Sequence, residues 1–123
     1  MKYMILIQSN AQFMDRWAAL SDEQRERFGH AHLALSADLA ASGELVASEG
    51  LADPALAKRV TARDGQVVVS DGPFAEVKEH LAGFMLVDVE SEQRALAIAA
   101  QVPDALWGLV EVRPVLDMSQ WDL

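Results

Sequence analysis

Three side chains stand out in this sequence as candidates for moving a proton, and they lie far apart along it: His32, Glu49 and Asp71. A histidine changes charge near neutral pH, and a carboxylate beside it can orient the ring, so the trio describes acid–base chemistry. Each residue also has a plain structural reading. Phe28, His32, Leu35 and Leu39 recur at helical spacing, so the imidazole shares a face with apolar residues. Such a ring either meets a carboxylate in a site or is a core histidine bonded to a backbone carbonyl. Glu49 alternates with Leu45 and Ala47 and so points inward beside an interface, unless it lies at a wet, frayed strand end. Asp71, in "SDGPF", is either a general base or orienter, or an acceptor for the backbone amides that follow it in a turn. Lys78 is a candidate anion contact and Phe74 a candidate ligand-binding residue in the same block, while Glu76, Glu79 and His80 read as a solvated rim.

Other chemistries are set aside by residue type. Cysteine is absent, which removes disulfides, thiolate catalysis and thiolate metal sites together. His30 and His32 diverge by about 200° on a helix, a poor metal clamp. The glycines have no phosphate-cradling spacing. Neither a metal nor a cofactor is expected. Ten basic residues stand against nineteen acidic ones, a net charge of -9, which repels phosphate backbones and anionic membranes. No nucleic-acid or membrane partner is expected. No apolar run approaches the roughly 20 residues that cross a bilayer, and "MKYMILIQSN" breaks off before a signal-peptide core forms. A soluble, cytoplasmic protein is the expectation.

The elements that must position these side chains follow from pattern. At 123 residues the chain is one domain, with a short tail from about residue 116. Residues 1–8 read as a strand, and residues 10–19 as ambiguous, a helical turn with Phe13 and Trp17. Ser21 and Gln24 have capping-box form and open a helix that Gly43 stops after Ser42. Residues 44–51 are a second strand. Asp64-Gly65 joins residues 58–63 and 66–70 as a hairpin, and Asp71-Gly72-Pro73 marks a further turn. A strand over 80–89, an Ala-rich helix over 91–101 and a closing strand over 109–115 complete the order. This β-α-β, hairpin, β-α-β sequence predicts an α+β fold, a ferredoxin-like split βαβ with an inserted β-hairpin and both helices on one face of an antiparallel sheet. The other face should then be polar. Instead Leu81, Gly83, Met85, Val87 and Val89 alternate with Ala82, Phe84 and Leu86, and Tyr3, Ile5 and Ile7 with Met4 and Leu6. Two apolar faces and two helices predict a homodimer packed sheet against sheet, the alternative being a cover from the tail, where Trp121 lies, or from the hairpin.

"SDGPFAEVKEHLAGFMLVDV" resembles the signature of the YCII-related, or DGPF-domain, family. The resemblance extends through "MKYMILI", "SGELVASEGL", the Asp64-Gly65 hairpin and "VPDALWGLVEVRPV", nearly the whole chain through Val115. It implies a dimeric α+β barrel of two ferredoxin-like protomers. In a related branch a histidine on the first helix and an aspartate are proposed as a catalytic pair facing a cleft, which implies a site role for His32 and Asp71. Some members are associated with extracytoplasmic-function sigma factors. Two functional expectations follow: a small polar or aromatic molecule bound between helix and sheet, with acid–base chemistry by His32, Asp71 and Glu49, or a non-catalytic interaction protein acting with such a sigma factor.

Overall fold

The computed structural model describes residues 1–72 and 78–120. Strand β1 (Lys2–Asn10) runs directly into helix α1 (Ala11–Ala19), because the Asn10 side chain accepts from the Phe13 amide at 2.8 Å and caps the first turn. The segment expected as a helical turn is thus a full helix. Helix α2 (Asp22–Ser42) opens on the predicted capping box: the Gln24 amide donates to Ser21 Oγ at 3.1 Å and the Ser21 amide to Gln24 Oε1 at 2.9 Å. It ends at Gly43, whose φ of 81° suits a residue without a Cβ. Strands β2 (Leu45–Gly50), β3 (Lys58–Arg63), β4 (Gln66–Asp71) and β5 (Glu79–Asp88), helix α3 (Glu92–Gln101) and strand β6 (Val110–Pro114) follow, with short 3-10 turns at Pro54–Leu56, Pro103–Trp107 and Met118–Gln120.

The main sheet has the order β2-β5-β1-β6 and is antiparallel throughout. This is the ferredoxin-like α+β arrangement, and β3 and β4 form a separate two-stranded hairpin. Positive φ at both Asp64 and Gly65 gives the hairpin its predicted turn. Pro73, Phe74 and Glu76 of the signature stretch, and Trp121 of the tail, lie outside the described residues.

One face of the sheet carries the core. Tyr3, Ile5 and Ile7 of β1 and Met85 and Val87 of β5 meet Leu35 and Leu39 of α2 and Ala95, Ile98 and Ala99 of α3. On the opposite face Met4, Leu6, Phe84 and Leu86 are only half-buried. Two bulges alter the expected alternation. Ile7 pairs with Gly83 but Gln8 with Leu81, so Ala82 is the extra residue and Leu81 leaves the face of Met85 and Val87. In β2, Leu45 pairs with Val87 and Ala47 with Leu86, so Val46 is extra and Leu45 does not share a face with Glu49. Gly83 is required where β2 crosses β5: a Cβ there would stand 2.9 Å from the Glu49 carbonyl oxygen.

Candidate functional site

Helix α2 turns His32 toward the end of the molecule where the chain leaves α3. Val102, held extended ahead of Pro103, stops α3 and starts the 3-10 turn. Asp104, just after that proline, is only 5% exposed and is the one buried charged residue among those described. His32 Nε2 lies 2.6 Å from Asp104 Oδ1, with the histidine side chain 30% exposed. A carboxylate is an acceptor, so Nε2 donates the shared proton, and in the neutral ring Nδ1 is the nitrogen that keeps a lone pair. No described residue hydrogen-bonds that Nδ1.

Aromatic rings back the dyad. Phe28, one turn before His32, has its ring centroid 5.0 Å from the imidazole. Phe28 meets Trp17 edge-on at 5.3 Å and stacks on Trp107 at 5.9 Å, and Phe13 stands edge-on to Trp107 at 5.1 Å. Three segments therefore build one wall: α1, α2 and the 3-10 turn after α3. Arg25 fastens α1 to α2 by donating Nε to the Trp17 carbonyl at 3.1 Å and a terminal nitrogen to the Ala18 carbonyl at 3.0 Å.

Beside this wall is a cleft of about 700 Å³. Its floor is Ile7, Gly83 and Met85 of the sheet, its side is Phe13, Trp17 and Phe28, and its polar groups are His32, Ser36, Ser48, Glu49 and Asp104. The volume is that of a small-molecule site, mostly apolar with a few convergent polar groups.

The structure brings two of the expected site residues to this cleft and leaves the others apart. His32 and Glu49 line it, Glu49 from a register position opposite Phe84, on the helix-free side of the sheet. Asp71 ends β4 on the hairpin, exposed, with its carboxylate engaged by the Lys58 ammonium, and does not line the cleft. The carboxylate at His32 is Asp104, not Asp71. Lys78 is exposed outside the cleft, and Phe74 lies outside the described residues. Asp104 had one signal in the sequence, a single acid inside "IAAQVPDALWGLV", where a lone charge among apolar residues asks for a partner.

The model of the YCII-related domain family matches residues 1–119. An uncharacterized protein of Rhizobium meliloti (strain 1021) is 32% identical over 117 residues, covering 94% of this chain and 92% of the relative. With a match that spans both halves of the split βαβ fold and the cleft between them, the chain belongs to the YCII-related domain family.

Proposed function

We propose that the protein binds a small, largely apolar molecule with a polar group in this cleft, and that His32 acts on it as a general base. The observation that carries the reading is the buried Asp104 held 2.6 Å from His32 Nε2 in a cleft that the same ring lines. Asp104 orients the imidazole and would stabilise the imidazolium formed when Nδ1 takes a proton from the ligand. Ser36, one turn after His32, and Ser48 supply hydroxyls for positioning. Asp71 takes no part in this chemistry.

The reading includes a homodimer. Half-exposed Met4, Leu6, Phe84 and Leu86 form an apolar surface that a second copy can cover, and Phe84 also borders the cleft. The alternative, an interaction protein acting with an extracytoplasmic-function sigma factor, draws on the hairpin, where Val67, Val68 and Val69 are 66%, 59% and 59% exposed.

A thermal-shift screen of small aromatic and heteroaromatic compounds, followed by proton NMR of the hits in deuterated buffer, tests the proposal. Hits should stabilise the wild type, lose their acidic C–H signal to deuterium when the protein is present, and keep it with His32→Gln. Hits that bind and exchange equally with His32→Gln and Asp104→Asn would leave the dyad without a role. If no compound binds, the interaction reading leads.

A further inference from the structure

We infer that the β3–β4 hairpin is an arm that docks on a second copy of this chain, laying its apolar face on the helix-free face of that copy's sheet and receiving the same contact in return. The inference rests on the homodimer reading above and adds which surface does the covering. In the hairpin, Val60 pairs with Val69 and Ala62 with Val67, so these four side chains share one face, closed at one end by the Lys58–Asp71 ion pair. The opposite face carries Arg59, Thr61 and Arg63 across from Ser70, Val68 and Gln66. The ribbon is therefore apolar on one side and largely polar on the other, the pattern of strands that pack one face against something. Yet Val60, Val67 and Val69 are 65%, 66% and 59% exposed, and no described part of their own chain covers them.

The same chain carries the matching surface. Met4 and Leu6 of β1 stand opposite Leu86 and Phe84 of β5 on the helix-free face, and Leu81, brought to that face by the bulge at Ala82, is 40% exposed. Each hairpin strand has six residues, about 20 Å, and the four sheet strands lie side by side over about 14–19 Å, so the ribbon can span the sheet. Its footprint of about 20 by 10 Å amounts to roughly 800 Å² over both surfaces of two exchanged arms. That is about two thirds of the least that a stable dimer buries, and the rest of β1 and β5, nine and ten residues long, supplies the remainder. Charge favours the arm as the point of contact. Two copies with net charge -9 repel each other, but residues 58–71 hold three basic residues against two acidic ones. On the receiving face Glu49, opposite Phe84, makes no side-chain hydrogen bond or ion pair within the described residues, so a basic arm meets an acid without a competing partner. A two-fold exchange covers both open surfaces of both copies and closes on itself.

Serine substitutions on the two faces of the hairpin test this without touching the core of the protomer. Val67→Ser/Val69→Ser in the full chain should keep the far-UV circular dichroism spectrum of the wild type. In sedimentation equilibrium it should raise the dimer dissociation constant about a hundredfold, since two arms together bury four such side chains. Val68→Ser, on the opposite face, should change that constant by no more than about twofold. Because the chain has no cysteine, a second measurement is clean: a mixture of Val67→Cys and Leu86→Cys proteins, treated with a short bismaleimide, should give more covalent dimer than either protein alone. A mixture that links no better than Leu86→Cys alone would mean sheet against sheet and overturn the arm. A dimer that survives Val67→Ser/Val69→Ser, or is weakened as much by Val68→Ser, overturns it equally, while the homodimer reading stands. If the wild type sediments as a monomer, both fall.

Discussion

At the scale of single residues, the His32–Asp104 pair is where stability and chemistry meet. Asp104 has His32 as its one side-chain partner among the described residues, so a truncation of the ring leaves a buried acceptor unsatisfied. His32→Ala should lower unfolding stability by about 1–3 kcal/mol, the desolvation cost of such a group. Adding Asp104→Leu to that variant should recover part of the loss, because removing both partners is cheaper than removing one. Urea unfolding of the two single variants and the double variant gives the coupling, and strictly additive losses would show that the contact contributes nothing. His32 was legible from its place on an apolar helical stripe. Its partner was not, because 72 residues separate them in sequence and only the packing of the turn after α3 against α2 brings them together.

Among elements, two joints fix β2, the edge strand that lines the cleft with Leu45, Ser48 and Gly50. The first is the close approach of β2 to β5. Gly83→Ala would push a methyl to within 2.9 Å of the Glu49 carbonyl oxygen, a backbone atom that cannot swing aside. Overpacking of this kind should cost about 1–3 kcal/mol and also weaken ligand binding, since Gly83 and Glu49 both line the cleft. Thermal unfolding together with titration of a hit from the thermal-shift screen checks both, and an unchanged melting temperature would mean that the strands simply part. The second joint ties α3 to the start of β2. Arg94 grips Glu44 with two hydrogen bonds of 2.8 Å, and these, helped by the Ser42 hydroxyl, hold the Glu44 carboxyl down to about 2 from an ordinary value of 4.5. A carboxyl whose folded value lies below its unfolded one adds stability that is complete above about 4.5 and fades as pH falls toward 2. Glu44→Gln should therefore be less stable than wild type at pH 7, and the gap should close as the pH is lowered through that window. Denaturant midpoints at pH 7, 4 and 2.5 measure it, and a gap that is constant with pH would exclude the ion pair as its source.

At the scale of the whole molecule, the sheet has one face under helices and one without. The core face is buried, but Met4, Leu6, Phe84 and Leu86 on the other are half-exposed, and Val46 beside them is 49% exposed. On the homodimer proposal, sedimentation at micromolar concentration should return about twice the chain mass, with an interface above roughly 1,200 Å² in total. Phe84→Asp should shift the protein to monomer or unfold it, since a buried charge without a partner is costly. A monomeric wild type would instead assign that face to another cover. The hairpin adds a second open surface. A two-stranded ribbon alone is marginal in water, and β3 and β4 are exposed along their whole length.

By itself the sequence determined the local structure. Ser21, Gln24 and Gly43 bound α2, Asp64-Gly65 turns the hairpin, and strand periodicity supplies the ferredoxin-like order, because caps, turns and alternation act over a few residues. Tertiary structure decided the rest. Bulges at Ala82 and Val46 moved Leu81 and Glu49 off the faces that simple alternation assigned, since one extra residue in a strand inverts every side chain beyond it. The packing of α1, α2 and the turn after α3 gathered Phe13, Trp17, Phe28 and Trp107 into a wall that no spacing announces. It also gave His32 to Asp104 and left Asp71 with Lys58 on the hairpin, because a carboxylate's partner is set by which surfaces meet in three dimensions, not by which motif it belongs to.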